Sequence, residues 1–183
     1  MSGVAGALVS SELDLIFTSN RGEDTVGIFH SDAENEMVKV SVGLRPNGLA
    51  FDPTRGVLLA ANVGDPSISG SFTLSMVDVN AGKMVASIPV PGRTRWAIYD
   101  PQADAFYINI SDPAQIVVVD GNRPDEVART IAIPVVGPHG LDLDIKTRRL
   151  FCACDEKKLI TLCSFWKPSQ PKWALTHSDL IPT

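Results

Sequence analysis

The feature that most constrains this chain is an internal repeat of about 44 residues, because self-similarity at that period allows only stacked-repeat architectures. Four segments align without gaps, opening at Gly6, Gly48, Trp96 and Gly140 and closing at Asn20, Asn62, Ile110 and Cys154. Their turn positions, Ser10, Asp52, Asp100 and Asp144, are spaced by 42, 48 and 44 residues. The long spacing has a local cause. Between Asn62 and Leu74 the second unit carries about six extra residues, rich in Gly, Pro and Ser, and insertions of this kind map to loops.

Each unit has the same internal order. A short apolar strand ends at Asp or Ser, and a turn follows, as in Asp52-Pro-Thr-Arg-Gly56, where Pro presets φ and Gly accepts positive φ. A second strand comes next, such as Val57–Ala61. A loop leads to a third, expected at Thr25–Phe29, Leu74–Val79, Gln115–Asp120 and Lys158–Leu162. The fourth is expected at Met37–Val42, Met84–Val90 and Val127–Ile133. Val, Ile and Leu dominate these runs, and no helical period competes over a long window. Four short antiparallel strands per repeat make an all-β chain of β-propeller blades. One four-stranded sheet cannot bury both faces alone, but stacked sheets can, which explains continuous apolar runs such as Ile116-Val-Val-Val119. The blades are expected at about 3–42, 43–91, 92–136 and 137–165, with a non-repeat tail over 166–183 that contains Trp166, Pro168, Pro171 and Trp173.

The residues then carry a family resemblance. Thr18-Ser-Asn20-Arg-Gly-Glu-Asp-Thr-Val26 resembles the Y-V-T-N-x-G-x-x-T-V signature, and Gly43-Leu-Arg-Pro-Asn-Gly-Leu-Ala-Phe-Asp-Pro53 resembles its partner G-x-x-P-x-G-L-A-F-D-P. Both are similar to YVTN-repeat (YncE-like) propellers, over about residues 3 to 165. The third unit departs at Arg95-Trp96, and the fourth keeps Pro138-His-Gly-Leu141 without the Asn. Lactonase-type seven-bladed propellers share much of the pattern. The resemblance implies a ring of seven blades, about 300 residues at this period. This chain holds about four, which leaves three expectations: a piece of a longer chain, a half-ring completed by another chain, or a small closed ring. Asp142 stands where the other units have Leu8, Ala50 and Ile98, a position facing the neighbouring blade. An unpaired carboxylate there is tolerable only if that face is solvated or paired, as on a terminal blade.

Composition narrows the partners. The chain has 183 residues, 44% of them hydrophobic, with a net charge of −5. That balance argues against nucleic acid, since a phosphate-binding surface needs a clustered basic patch and only Arg93 and Arg95 approach one. No apolar stretch is long enough for a transmembrane helix, so no membrane partner is expected. No basic segment followed by an apolar core opens the chain, so as written it reads as cytoplasmic, while a longer parent could be exported. Cys152, Cys154 and Cys163 are odd in number and read as core thiols. No cofactor motif, Gly-x-Ser-x-Gly elbow or His-Glu-x-x-His is present, and no cofactor or metal is expected. Asp142, Asp144 and His139 are the one set that could seed a metal site, with a turn role for Asp144 the simpler reading.

In this architecture ligands sit at the channel mouth, where loops from every blade converge. The candidate binding residues are Arg45 and Asn47, Arg93 and Arg95, and His139, at equivalent positions in Arg-Pro-Asn, Arg-Thr-Arg and Gly-Pro-His. The loops between second and third strands add Asn20, Arg21, Asp24, Asn62, Asp65, Asn109, Asp112 and Asp155. Asn20, Asn62 and Asn109 read as turn caps that bond local backbone. A ring of Arg, Asn and His suits a small anion, a sugar phosphate or a carboxylate. The preferred expectation is a non-enzymatic scaffold that binds a protein or a small anionic ligand, with exposed terminal blade faces open to self-association. The alternative is a lactonase-like hydrolase with Arg45, Arg95 and His139 around a sugar lactone.

Overall fold

The computed structural model describes residues 1–155, 159–164 and 172–176. It contains four antiparallel sheets of four strands, each built from consecutive strands in sequence order. The first blade is β1 (Val4–Ser10), β2 (Leu15–Asn20), β3 (Thr25–His30) and β4 (Val38–Ser41). The second is β5 (Pro46–Asp52), β6 (Val57–Asn62), β7 (Thr73–Asp78) and β8 (Lys83–Pro89). The third is β9 (Thr94–Asp100), β10 (Ala105–Ile110), β11 (Gln115–Asp120) and β12 (Arg129–Ala132). The fourth is β13 (Pro138–Asp144), β14 (Arg149–Cys154), β15 (Leu159–Ser164) and β16 (Lys172–Thr176).

The strands expected from the repeat fall within a few residues of those observed. β16 is the exception. It pairs antiparallel with β15, so the fourth blade takes its outer strand from the segment expected to be a tail. β16 begins 34 residues after β13, as β4 begins 34 after β1, so it keeps the period; Pro168 and Pro171 before it and the lack of a Val or Ile run are why the segment read as a tail.

Three apolar layers join the blades. Phe17, Val26 and Ile28 of the first meet Leu49, Phe51 and Leu58 of the second, with the Phe17 and Phe51 rings 4.7 Å apart. Leu59, Leu74 and Met76 meet Phe106, Ile108 and Val117. Tyr107, Ile116 and Val118 meet Leu141, Leu150 and Cys152, so Cys152 and Cys154 are core residues as expected. Full burial of each such side chain contributes about 1.5–3 kcal/mol.

The sheets do not close into a ring. Burial along the strands shows the consequence. Every residue of β10 is buried, because the third blade is covered on both faces. In β14 buried and more exposed residues alternate, because the fourth blade is covered on one face. Asp142 lies on the uncovered face, is exposed, and accepts a hydrogen bond from Leu143 N at 2.9 Å. The small closed ring is therefore not what this chain forms.

The turn aspartates do the same task in the second, third and fourth blades. Asp52 Oδ1 accepts from Thr54 N and Arg55 N, Asp100 Oδ1 from Gln102 N and Ala103 N, and Asp144 Oδ1 from Lys146 N and Thr147 N. These bonds satisfy backbone donors that a tight turn otherwise leaves open.

Candidate functional site

The blade-to-blade loops and the loops between second and third strands lie together on one face. Backbone bonds join them: Val63 N and Gly64 N donate to Arg45 O and Leu44 O, Ser111 N donates to Arg93 O, and Asp155 N donates to Gly137 O. The opposite face carries the tight turns, joined by Val79 N to Gly56 O and Gly121 N to Asp104 O.

A repeated irregularity aims the site residues. At the start of three inner strands, two residues oppose one on the neighbouring strand. Asn47-Gly48 lie opposite Ala61, Arg95-Trp96 opposite Asn109, and His139-Gly140 opposite Ala153. Such a bulge bends the strand and re-aims its side chains. The candidates Asn47, Arg95 and His139 all sit in this bulge, which is why the alignment placed them at equivalent positions. The glycine of the pair has a separate purpose. A Cβ on Gly48 would collide with Arg95 O, and one on Gly6 would meet Asn47 O at 2.7 Å, so glycine lets successive inner strands approach closely.

Four arginines converge at this mouth. Burial first, then the neighbouring charges of Arg45 and Arg95, hold Arg21 below its usual proton affinity. Burial and then Arg95, Arg21 and Arg45 do the same to Arg93, while Asp155 opposes the effect. Arg95 reaches Asp155 at 4.0 Å, and Asp155 also lies 3.0 Å from His139 Nδ1. Among the described residues, Arg21, Arg45 and Arg93 form no ion pair. The Nε atoms of Arg21 and Arg95 are buried without a hydrogen-bond partner. Buried donors left open in this way are costly unless something accepts from them.

Backbone anchoring fixes where these side chains start. Arg45 N donates to Asp24 Oδ1 at 2.7 Å, and Arg93 O accepts from Ser111 N at 2.9 Å and Ser111 Oγ at 3.2 Å. Arg45 has φ of 57°, whereas the equivalent residue of the fourth blade is Gly137 with φ of 74°. An arginine at a backbone position better suited to glycine is strained.

The five expected binding residues separate by role. Arg45, Arg93 and Arg95 join the cluster, and His139 borders it through Asp155. Asn47 faces the cleft between the inner strands, about 470 Å3, and its carbonyl accepts from Ser19 Oγ at 2.8 Å, joining two blades. Arg21, one of the candidates from the loops between second and third strands, joins the cluster because its loop opens on the same face. Asn20, Asn62 and Asn109 are fully buried and do not cap turns as expected. Asn20 Nδ2 donates to Thr25 Oγ1, Asn62 Nδ2 to Thr73 Oγ1 and Ser75 Oγ, and Asn109 Nδ2 to Gly140 O of the next blade. Asp142, Asp144 and His139 do not come together: Asp144 holds its turn and His139 faces Asp155. Among the described residues no three His, Cys, Asp or Glu side chains converge.

Comparison with known proteins supports the fold. No family model matches the sequence, and no curated protein matches it by sequence. Solved structures do match. Hydrazine synthase of Kuenenia stuttgartiensis superposes with a TM-score of 0.83 at 18% identity, over 97% of this chain and 50% of that one. A functionally unknown protein from Desulfotomaculum acetoxidans superposes with a TM-score of 0.79 at 12% identity, over 96% of this chain and 56% of that one. The chain thus spans about half the length of the solved structures it matches, and the likeness is one of propeller-like fold.

Proposed function

We propose that this chain is a non-enzymatic β-propeller module of the YVTN-repeat type that binds a small anion at its loop face. One observation carries the reading: four guanidinium groups from three successive blades lie close enough to act on one another, and among the described residues only Arg95 has an ion-pair partner, Asp155. Like charges at this density repel, and the open Nε donors are unsatisfied. A carboxylate or phosphate relieves both, and guanidinium offers it paired donors. The strained backbone at Arg45 supports the same reading, because it keeps an arginine where the fourth blade uses glycine.

Isothermal titration with pyrophosphate and citrate at low ionic strength tests this. Saturable binding that weakens at least tenfold in Arg93→Gln is the expected result. Heats no larger than those of dilution for every anion tried would sink it.

A second reading rests on the His139–Asp155 contact beside Arg95, an arrangement that could hold a general base near a bound carbonyl. It makes the chain a lactonase-like hydrolase. Lactone hydrolysis by the purified chain, abolished in His139→Ala, would favour it over the binding module. The uncovered faces of the first and fourth blades are proposed as surfaces for self-association, which sedimentation velocity reads directly as a concentration-dependent dimer.

A further inference from the structure

A groove of about 710 Å3 runs between the loops of the second and third blades, next to the arginine cluster. Its volume is in the range of small-molecule sites. Arg45 and Arg93 stand on its lip, and Phe72, Pro66, Pro91 and Pro113 contribute to its wall. We propose that this groove binds an anion with an apolar body: a carboxylate or phosphate head on Arg45 and Arg93, and an aromatic-sized body against Phe72 and the prolines. The proposal rests on the anion-binding reading above and adds the class of ligand.

Half of the wall, Pro66 and Phe72, comes from the one insertion in the repeat. The extra residues of the second blade fold into a loop closed by its own hydrogen bonds. Ser67 N and Oγ donate to Asp65 Oδ1 at 2.8 and 2.6 Å. Ser71 Oγ accepts from Asp65 N at 2.9 Å and donates to Asp65 O at 2.7 Å. This loop carries Pro66 and leads into Phe72, so the apolar wall is ordered before any ligand arrives, which lowers the entropic cost of binding. On the other side the loops are held in contact. Gly92 lies so close to Asp112 O that any Cβ would collide, and Ser111 fixes Arg93 through its carbonyl.

The charges select within the class. Two arginines without ion-pair partners among the described residues face one exposed aspartate, Asp112, on the same groove. The net balance of one positive charge suits one compact anionic head.

The test compares matched probes on the whole chain by titration calorimetry at low ionic strength: phenylphosphate against inorganic phosphate, and phenylacetate against acetate. Each phenyl-bearing probe is expected to bind about tenfold or more tightly than its bare counterpart, the effect of burying one ring in part. Phe72→Ser should bring each pair to within about threefold, and Pro66→Asp serves as the second variant if Phe72→Ser does not fold. Arg93→Gln should weaken every probe. The stronger binder of the two phenyl probes distinguishes a phosphate from a carboxylate ligand. Equal affinity for phenylphosphate and phosphate overturns the groove while leaving the anion site intact. A phenyl preference that survives both wall variants also overturns it, because the body then lies elsewhere. Failure of all four probes to bind overturns both proposals together.

Discussion

The guanidinium of Arg148, on the fourth blade, donates to both carboxylate oxygens of Asp100, which is fully buried on the third, at 2.9 and 2.5 Å. Asp100 also holds its own turn, so one side chain serves both local geometry and blade stacking. Arg148 has φ of 57°, at the position where the second blade has Gly56. The ion pair thus requires a residue that its backbone does not favour. Replacing Arg148 by Met leaves a buried carboxylate without its charge partner. The expected loss is about 2–3 kcal/mol, below the ~3–5 of a fully buried pair because Arg148 is 28% exposed. A urea denaturation midpoint measures it, and a change within experimental error would mean that the pair does not join the blades.

Acid should unfold the chain through these same carboxylates. Burial pushes the Asp100 carboxyl up, but Arg148 and the N–H groups of Ala103 and Gln102 outweigh it and hold it below the usual range. Arg55 is the main cause of the same shift at Asp104, and Thr147 at Asp144. In each case the folded value is lower than the unfolded one, so the unfolded chain binds more protons. The stability is fully present above about pH 4, the unfolded Asp value, and is lost as pH falls through the folded values. Denaturation midpoints should be insensitive to these groups from pH 7 to 5 and fall steeply below 4. Asp100→Asn should lower the midpoint at pH 7 and make the acid limb shallower.

Two glycines at equivalent positions should respond differently to alanine. A Cβ on Gly48 has Arg95 O and Ala97 N of the next blade in its way. A Cβ on Gly140 meets only the Ala153 side chain, at 3.5 Å, because no blade covers that face. Gly48→Ala is expected to cost about 1–3 kcal/mol by forcing the inner strands apart. Gly140→Ala should change stability by no more than about 0.5 kcal/mol. Thermal or urea melts of the two variants measure the difference, and an equal cost would place a neighbour against Gly140.

Crowded arginines make the unliganded chain sensitive to salt. Arg93→Gln removes a guanidinium whose proton affinity Arg95, Arg21 and Arg45 depress after burial, and so relieves part of their repulsion. It should raise the thermal midpoint by about 1–3 °C at low ionic strength, and the gain should disappear near 1 M salt, where the screening length is about 3 Å. A variant that melts lower at every salt concentration would show that Arg93 stabilises the fold.

Much of this architecture was legible because it repeats. Four copies of one strand order, each with an aspartate or serine at the first turn, locate fifteen of the sixteen strands and the two faces of the assembly. The same alignment placed Asn47, Arg95 and His139 together, since a shared bulge aims all three. What did not repeat was harder to read. β16 keeps the spacing of the other outer strands, but Pro168, Pro171 and the absence of a Val or Ile run hid it. The buried asparagines looked like caps because a short sequence window shows neither Thr73 and Ser75 near Asn62 nor Gly140 near Asn109. Arg21 carries no signal of its own. Its partners Arg45, Arg93 and Arg95 come from other blades, and only stacking brings them close.

The most direct measurement of the central claim follows the arginine side chains themselves. In 15N-labelled protein, the Nε–H signals of Arg21, Arg93 and Arg95 can be assigned by single Arg→Lys changes and followed during addition of pyrophosphate. The account predicts saturable shifts of these three signals at one common affinity, with those of Arg55 and Arg148 on the opposite face unmoved. Shifts that are absent from the three, or spread evenly over all five, would contradict an anion site at the loop face.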